Sequence, residues 1–429
     1  MNMSTLFFSV VAVWIFCINA EIVNLSVANA QKNETIAILL AVIGKQTPEM
    51  NEVSNLVKKA LEFKNQCTVS VAFIPQIMTK KEAINQKEKG FSYIIFLDGS
   101  DKKNFEWHLF DVDDASMKKN KMVAKKGAVV RGWAYALADS MYESLTNEPG
   151  FFSTKIAYGK QMPLKRGMHY THIYIADYDG SNEECIVQTP TINVSPRWNA
   201  DGRRPLLFYS ENTNSNMRMM AVDMHKKRVV ASNFDGLNML PAFSPDGKSV
   251  IYCATRGDAN CHLYHWSNKV LKKVTSNDGN NFSPVFGDDG KTIYFSSDFE
   301  TGKPQIYSYN IDNAQLVRIT KDGYCVSPTY CPARKQLAYA KMVNGVMQLF
   351  SYDLATQEHR QLTTDAAQKE ECNWSPCGTF LLCPVDNGNV TRIALFNTIT
   401  HDYRYLTSAQ DNCQYPTWSG VYNEYPVIS

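Results

Sequence analysis

The chain has 429 residues, 44% hydrophobic and 20% charged, which is too long for one ordinary domain and too apolar for a disordered chain. Its 44 Lys and Arg against 42 Asp and Glu leave a formal net charge of +2, so no electrostatic case exists for a nucleic-acid partner, and none is expected.

Residues 6–18 are an unbroken apolar and small-residue run, and Ala20 precedes Glu21. That pattern predicts a cleaved secretory signal over residues 1–20, although no Lys or Arg precedes the run. The run is short of the roughly 20 apolar residues a spanning helix needs, and no later segment is apolar enough, so the chain is not expected to span a membrane. Of 11 cysteines, Cys17 falls inside the signal, leaving ten for an oxidising compartment. Cys253 and Cys261 flank Gly257 in an expected hairpin and read either as a cross-strand disulfide or as two buried thiols.

Residues 21–33 form an arm ahead of the first strong strand, and residues 34–147 read as a small α/β domain. Its apolar strands are expected at 35–43, 69–74 and 93–97, with a helix capped by Asn51 between the first two. A helix over 127–145 closes the region, and Asn147-Glu148-Pro149-Gly150 marks the boundary.

Residues 151–429 then repeat. Pro196-Arg197-Trp198, Pro241-Ala242-Phe243, Pro284-Val285-Phe286, Pro328-Thr329-Tyr330 and Pro416-Thr417-Trp418 share one pattern, and Cys372-Asn373-Trp374 keeps the aromatic without the proline. The aromatics fall at 198, 243, 286, 330, 374 and 418, a period of 43–45 residues, the length of a four-stranded propeller blade. Each is followed by a turn, clearest in Ser244-Pro245-Asp246-Gly247, and each repeat ends in a hydroxyl residue: Thr189, Ser232, Thr275, Thr320, Thr363 or Thr407. The last repeat lacks three strands, which lie upstream at 155–158, 172–176 and 185–188. The expected fold is therefore an α/β domain followed by an all-β six-bladed propeller closed by its N-terminal strands.

Chemistry-bearing motifs are sparse. No GxSxG elbow, Walker motif, dinucleotide fingerprint or HExxH occurs in the chain. His169 with His172, and His262 with His265, sit on strand-like segments where residues three apart face opposite ways, which argues against joint metal ligation. Asp177-Tyr178-Asp179-Gly180 lacks the further carboxylates of a calcium loop and reads as a turn. No catalytic residue, metal or cofactor is expected.

The signal, the small α/β domain and the repeats together resemble the TolB family over essentially the whole mature chain. The similarity is carried by Ala176-Asp177-Tyr178-Asp179-Gly180, Pro241-Ala242-Phe243-Ser244-Pro245-Asp246-Gly247 and Lys303-Pro304-Gln305-Ile306-Tyr307. The turns at Pro332-Ala333-Arg334 and Ser375-Pro376-Cys377-Gly378 depart from the pattern. The resemblance implies a non-enzymatic periplasmic monomer of the Tol-Pal system that supports envelope integrity and cell division. It would bind the Pal lipoprotein through the propeller and TolA through the mature N-terminus at Glu21, Ile22, Val23, Asn24 and Leu25, with other outer-membrane or peptidoglycan-associated proteins as further partners. Topology places the Pal surface on loops joining each outermost strand to the next innermost one: Leu237, Asn238, Met239, Asn280, Asn281, Phe282, Tyr324, Glu370, Glu371, Asp411 and Asn412. The competing class is a periplasmic hydrolase or lyase with its site in the channel.

Overall fold

A computed structural model describes residues 35–99, 104–118, 124–125, 130–163, 169–202, 204–213 and 216–420. The signal and the arm, with Glu21 to Leu25, lie outside the described residues. The chain divides into two compact units, Met1–Lys126 and Gly127–Ser429.

In the first unit, β1 (Ile36–Ile43) runs parallel to β2 (Cys67–Ile74) on one side and β3 (Tyr93–Asp98) on the other. β4 (Asn104–Asp111) pairs antiparallel with β3 and then with β5 (Ser116–Lys118) and β6 (Ala124–Lys125). A continuous apolar β1 suits this central position, because a strand between parallel neighbours is buried on both faces. Helix α1 (Pro48–Leu61) starts earlier than the expected Asn51 cap: Thr47 Oγ1 accepts from the Met50 amide at 3.2 Å, and Pro48 occupies the first turn, where its missing N–H costs nothing. Helix α2 (Lys80–Ile84) opens with a reciprocal Thr79–Glu82 capping box. Leu39, Ala41, Ile94, Phe96 and Phe110 form the core under α2.

Where the sequence pointed to a boundary at 147–150, helix α3 (Val130–Thr146) belongs to the second unit. Buried Asp139 accounts for this. Its carboxylate accepts the Phe152 amide at 2.6 Å and the Ser153 amide at 3.0 Å, while Tyr142 packs edge-on against Phe152 at 5.5 Å. The helix is thereby fastened to the residues that lead into β7 (Lys155–Pro163).

β7 pairs with β8 (His169–Asp177), and β8 with β9 (Glu184–Val187). The strand Cys413–Trp418 pairs antiparallel with β7, Trp418 opposite Ile156. The described strands between them fall into quartets whose first strands are Ile192–Trp198, Asn238–Phe243, Asn281–Phe286, Cys325–Cys331 and Asn373–Trp374, called here the first to fifth. β7–β9 with Cys413–Trp418 make the sixth, joined to the first in one sheet by the bridge Ile192–Thr171. Core residues sit between neighbouring quartets, as in the cluster of Leu240, Ile251, Cys253, Phe286, Phe295 and Tyr307.

The repeated Pro-x-aromatic pattern has a structural cause. The first strands of the first four quartets and the strand Cys413–Trp418 are bulged: register jumps from Val194 to Arg197, Met239 to Ala242, Phe282 to Val285, Val326 to Thr329 and Gln414 to Thr417. The proline occupies an unpaired bulge position, where the ladder needs no N–H. The residue before it takes a left-handed backbone, with φ of 51° at Ser195, 54° at Leu240, 51° at Ser283, 56° at Ser327 and 57° at Tyr415, and so does Glu371 at 55° before Cys372, which stands in the proline's place. The terminal hydroxyls are equally specific. Thr275, Thr320, Thr363 and Thr407 accept the amides of Leu263, Ile306, Leu349 and Ile393 at 2.8–3.0 Å, tying outer strand to inner.

Asp177-Tyr178-Asp179-Gly180 is a turn, with Gly180 at φ 82° and buried Asp177 paired to Lys155 and to Arg131 at 3.1 Å. Its charge is answered by cations of the chain itself. Cys253 and Cys261 are buried free thiols, and burial pushes the Cys253 thiol up, whereas Cys372 and Cys383 form a disulfide. In the departing turn at Ser375-Pro376-Cys377-Gly378, the Cys377 thiol lies 3.2 Å from Ser375 Oγ, taking the place Asp246 holds against Ser244 at 2.7 Å.

Candidate functional site

The first strands of the quartets line a central channel enclosing about 190 Å³. Most of its lining is proline, hydroxyl and aromatic, so the charged members stand out. Arg197 projects from the first quartet and Glu371 from the entry to the fifth, Nη2 to Oε2 3.7 Å apart, each with about a fifth of its side chain exposed (23% and 21%). At that distance the pair is ionic rather than directly hydrogen-bonded. Burial raises the Glu371 carboxyl above the ordinary range and Arg197 opposes the shift; burial likewise lowers the Arg197 guanidinium, opposed by Glu371.

Next to the channel, Gln368, Glu370, Glu371, Pro384, Asp386 and Tyr415 border a second cavity of about 330 Å³. Glu370 is raised by lost hydration first and by its neighbour Glu371 second. The phenols of Tyr415 and Tyr324 are also raised, by burial and then by these carboxylates. This end of the channel is thus acidic, with tyrosines beside the acids.

The loops expected to form the docking face share one construction. Each is tied to the hairpin loop of its own quartet: the Leu237 amide donates to Thr255 Oγ1 at 3.0 Å, the Asn280 amide to Asp298 Oδ1 at 2.7 Å and the Met342 amide to the Tyr324 carbonyl at 2.9 Å. Gln368 bridges to Asp386, and Asn412 Nδ2 donates to Gln161 at 2.5 Å. Asp411 pairs with Lys160 at 2.8 Å. These loops are braced by bonds within the chain itself, so a ligand meeting them would incur little ordering cost.

Two expected docking residues are corrected by burial. Asn238 and Asn281 are fully buried, and their amides are consumed internally. Asn238 Nδ2 donates to the Met217 and Phe234 carbonyls at 3.0 and 2.6 Å, while its Oδ1 accepts from Ser232 Oγ at 2.9 Å. Asn281 Nδ2 donates to Gly279 and Cys261 carbonyls at 3.0 and 3.3 Å. They latch one quartet to the next, a position occupied in register by Asn193, Cys325, Lys369 and Cys413, all at 0% exposure. Met239 and Phe282 are half-buried in the inter-quartet cores, Phe282 against Val326, Ala340 and Met347. Leu237 (38%) and Tyr324 (36%) are exposed, as is Glu370.

Sequence reasoning missed Arg197. In the repeat register its slot holds Ala242, Val285, Thr329, Asn373 and Thr417 elsewhere, so the one charged member was a readable signal. Glu371 similarly replaces Ser, Leu or Tyr in the left-handed slot. Among the described residues there is no group of three or more His, Cys, Asp or Glu arranged to hold a metal ion, and no helix long and apolar enough to cross a membrane.

A family profile described as the TolB beta propeller domain matches residues 142–422. A Tol-Pal system protein TolB from Francisella tularensis subsp. mediasiatica is 31% identical over 307 residues, 68% of this chain and 69% of that protein. Its counterpart in F. tularensis subsp. holarctica strain OSU18 is 35% identical over 222 residues, 49% of this chain and 50% of that protein. The crystal structure of TolB from Acinetobacter baumannii superposes with a TM-score of 0.75 at 24% identity, covering 90% of this chain and 97% of that one, a likeness of fold.

Proposed function

The chain belongs to the TolB family, and on that premise we propose that it is a non-enzymatic periplasmic component of a Tol-Pal system. It docks the Pal lipoprotein at the channel mouth and engages TolA through residues 21–33, including Glu21, Ile22, Val23, Asn24 and Leu25. Exchange between these partners supports outer-membrane integrity and constriction at division. In the same reading the six quartets are the blades of one closed propeller, and the pairing of Trp418 with Ile156 supports that closure.

The observation that carries the docking site is the braced, acidic rim. Leu237, Tyr324 and Glu370 offer exposed surface, with Asn280, Asp411 and Asn412 held beside them and Glu371 just inside the channel. Pre-organised polar loops around a concavity suit specific protein recognition better than a flat surface would.

Reversing Glu370 and Glu371 to Lys together tests the rim, because charge reversal at a desolvated contact weakens binding by roughly tenfold or more. Unchanged affinity for the soluble domain of Pal, in a variant that keeps its melting temperature, would contradict the site. Deleting residues 21–33 should abolish TolA binding and spare Pal binding; retained TolA binding would remove the arm from the account.

A further inference from the structure

Between the third and fourth quartets, away from the channel, lies a surface groove of about 360 Å³. Its origin is a mismatch of strand lengths. The outermost strand of the third quartet is only Leu316–Arg318, whereas the facing strands Gln336–Val343 and Val346–Asp353 of the fourth are eight residues long. The register sets Tyr339 opposite Phe350, and Tyr352 opposite His359, so these four rings share the face turned to the third quartet. The short strand leaves that face as the floor of the groove, with Val317 46% exposed at its rim.

The rings are held in place. Tyr339 and Phe350 stack with centroids 5.7 Å apart, and Tyr352 and His359 lie 4.6 Å apart. Tyr339 Oη and His359 Nδ1 are hydrogen-bonded at 2.8 Å. Around them the lining carries three cations, Arg318, Lys321 and Lys341, against one acid, Asp322. Arg318 is answered by Glu300 and Lys341 by Asp322, each at 2.8 Å, while Lys321 is exposed with no ion-pair partner among the described residues. Burial lowers the His359 imidazole, and the positive charges of Lys341 and Lys321 add to that shift.

We propose that this groove is a binding site for an acidic sugar. A pyranose ring presents weakly positive C–H bonds to the negative face of an aromatic ring. Its carboxylate meets Lys321 and Lys341, and its hydroxyls find acceptors and donors in Asp322 and Gln357, which also line the groove. The volume lies within the roughly 300–1,000 Å³ of small-ligand pockets. None of the groove's lining residues belongs to the channel, although Asp322 and Lys341 lie beside Tyr324 and Met342 in the chain.

The test is saturation-transfer NMR on the whole chain with D-glucuronate, D-glucose and acetate as separate probes, since glucose carries a neutral hydroxymethyl group in place of the carboxylate and acetate lacks the ring. Glucuronate should bind saturably, with glucose and acetate each weaker by about tenfold or more. Lys321→Ala with Lys341→Ala, and separately Tyr352→Ala, should each weaken glucuronate by about fivefold or more, with melting temperatures confirming that the variants fold. No saturable glucuronate signal overturns the proposal. So does equal binding of glucose or of acetate, or glucuronate binding untouched in folded variants, which would place it elsewhere. If Tyr352→Ala fails to fold, the exposed Lys321→Ala alone decides.

Discussion

Arg197 of the first quartet and Glu371 at the entry to the fifth face each other inside the channel at 3.7 Å, and the strand Cys413–Trp418 touches both quartets. This pair joins distant parts of the sequence inside the channel, beside the rim proposed above as the docking site.

Replacing Arg197 with Met leaves Glu371 with no opposing charge in a partly desolvated site, a loss of about 1–3 kcal/mol at pH 7 after allowing for residual exposure. The pH dependence has a definite sign. Glu371 is raised in the folded state, so its favourable contribution is complete below the unfolded carboxyl value and is lost as pH rises through the folded one. The Arg197→Met deficit should therefore shrink as pH falls from 7 toward 4, and Glu371→Gln in the same chain should recover most of it. Urea unfolding across that range would read a pH-independent deficit as contrary.

Asp139 provides a second titration with a wider window. Burial, opposed by Ser153 and the Phe152 amide, raises its carboxyl to about 6. Because that lies above the unfolded value, the wild-type chain should gain stability from this group as pH falls from 7 through 6 to about 4, on the order of 3 kcal/mol. Asp139→Asn cannot accept all three donors and should cost about 1–3 kcal/mol while flattening that portion of the pH profile. A profile identical in shape to wild type would rule Asp139 out as its source.

The buried asparagine latches should separate cleanly from the exposed rim. Asn281→Ala strands the Gly279 carbonyl and removes the side-chain bonds to Asn277 and buried Ser297, while the Cys261 carbonyl keeps the backbone amide of residue 281; it should cost about 2–4 kcal/mol. Tyr324→Ala on the surface should change stability by less than about 0.5 kcal/mol. Denaturant midpoints for the two variants make the comparison, and equal costs would deny the latch its role.

The left-handed residue of each bulge makes a backbone prediction. At Ser283, with φ 51°, a β-branched Val should cost about 1–3 kcal/mol, whereas Gly should be tolerated within about 1 kcal/mol. Thermal unfolding of the two variants would contradict this if Val were the milder change.

Much of this architecture was legible because a blade repeats its constraints. The proline before each aromatic marks the unpaired bulge, and the final hydroxyl marks an amide it must satisfy, so both recur every 43–45 residues. The start of α1 was misplaced because Thr47 and Pro48 form a stronger cap than Asn51. Helix α3 was assigned to the wrong neighbour because the bond from Asp139 to Phe152 and Ser153 leaves no periodic trace. The candidate site was legible only in part. Blade topology pointed to the loops of Leu237, Tyr324 and the two glutamates, which lie at the surface or in the channel, but Asn238 and Asn281 look like loop asparagines until their amides are followed to buried carbonyls. Arg197 was hidden because its partner is 174 positions away in the numbering, and only the channel brings the two together.

Docking of Pal at the channel mouth is decided by calorimetric titration of the chain from Glu21 onward with the soluble domain of the Pal lipoprotein of the same organism. The account predicts saturable one-to-one binding, abolished or weakened by about tenfold or more when Glu370 and Glu371 are both changed to Lys. No binding by a protein that unfolds cooperatively, or binding indifferent to those two charges, would contradict it.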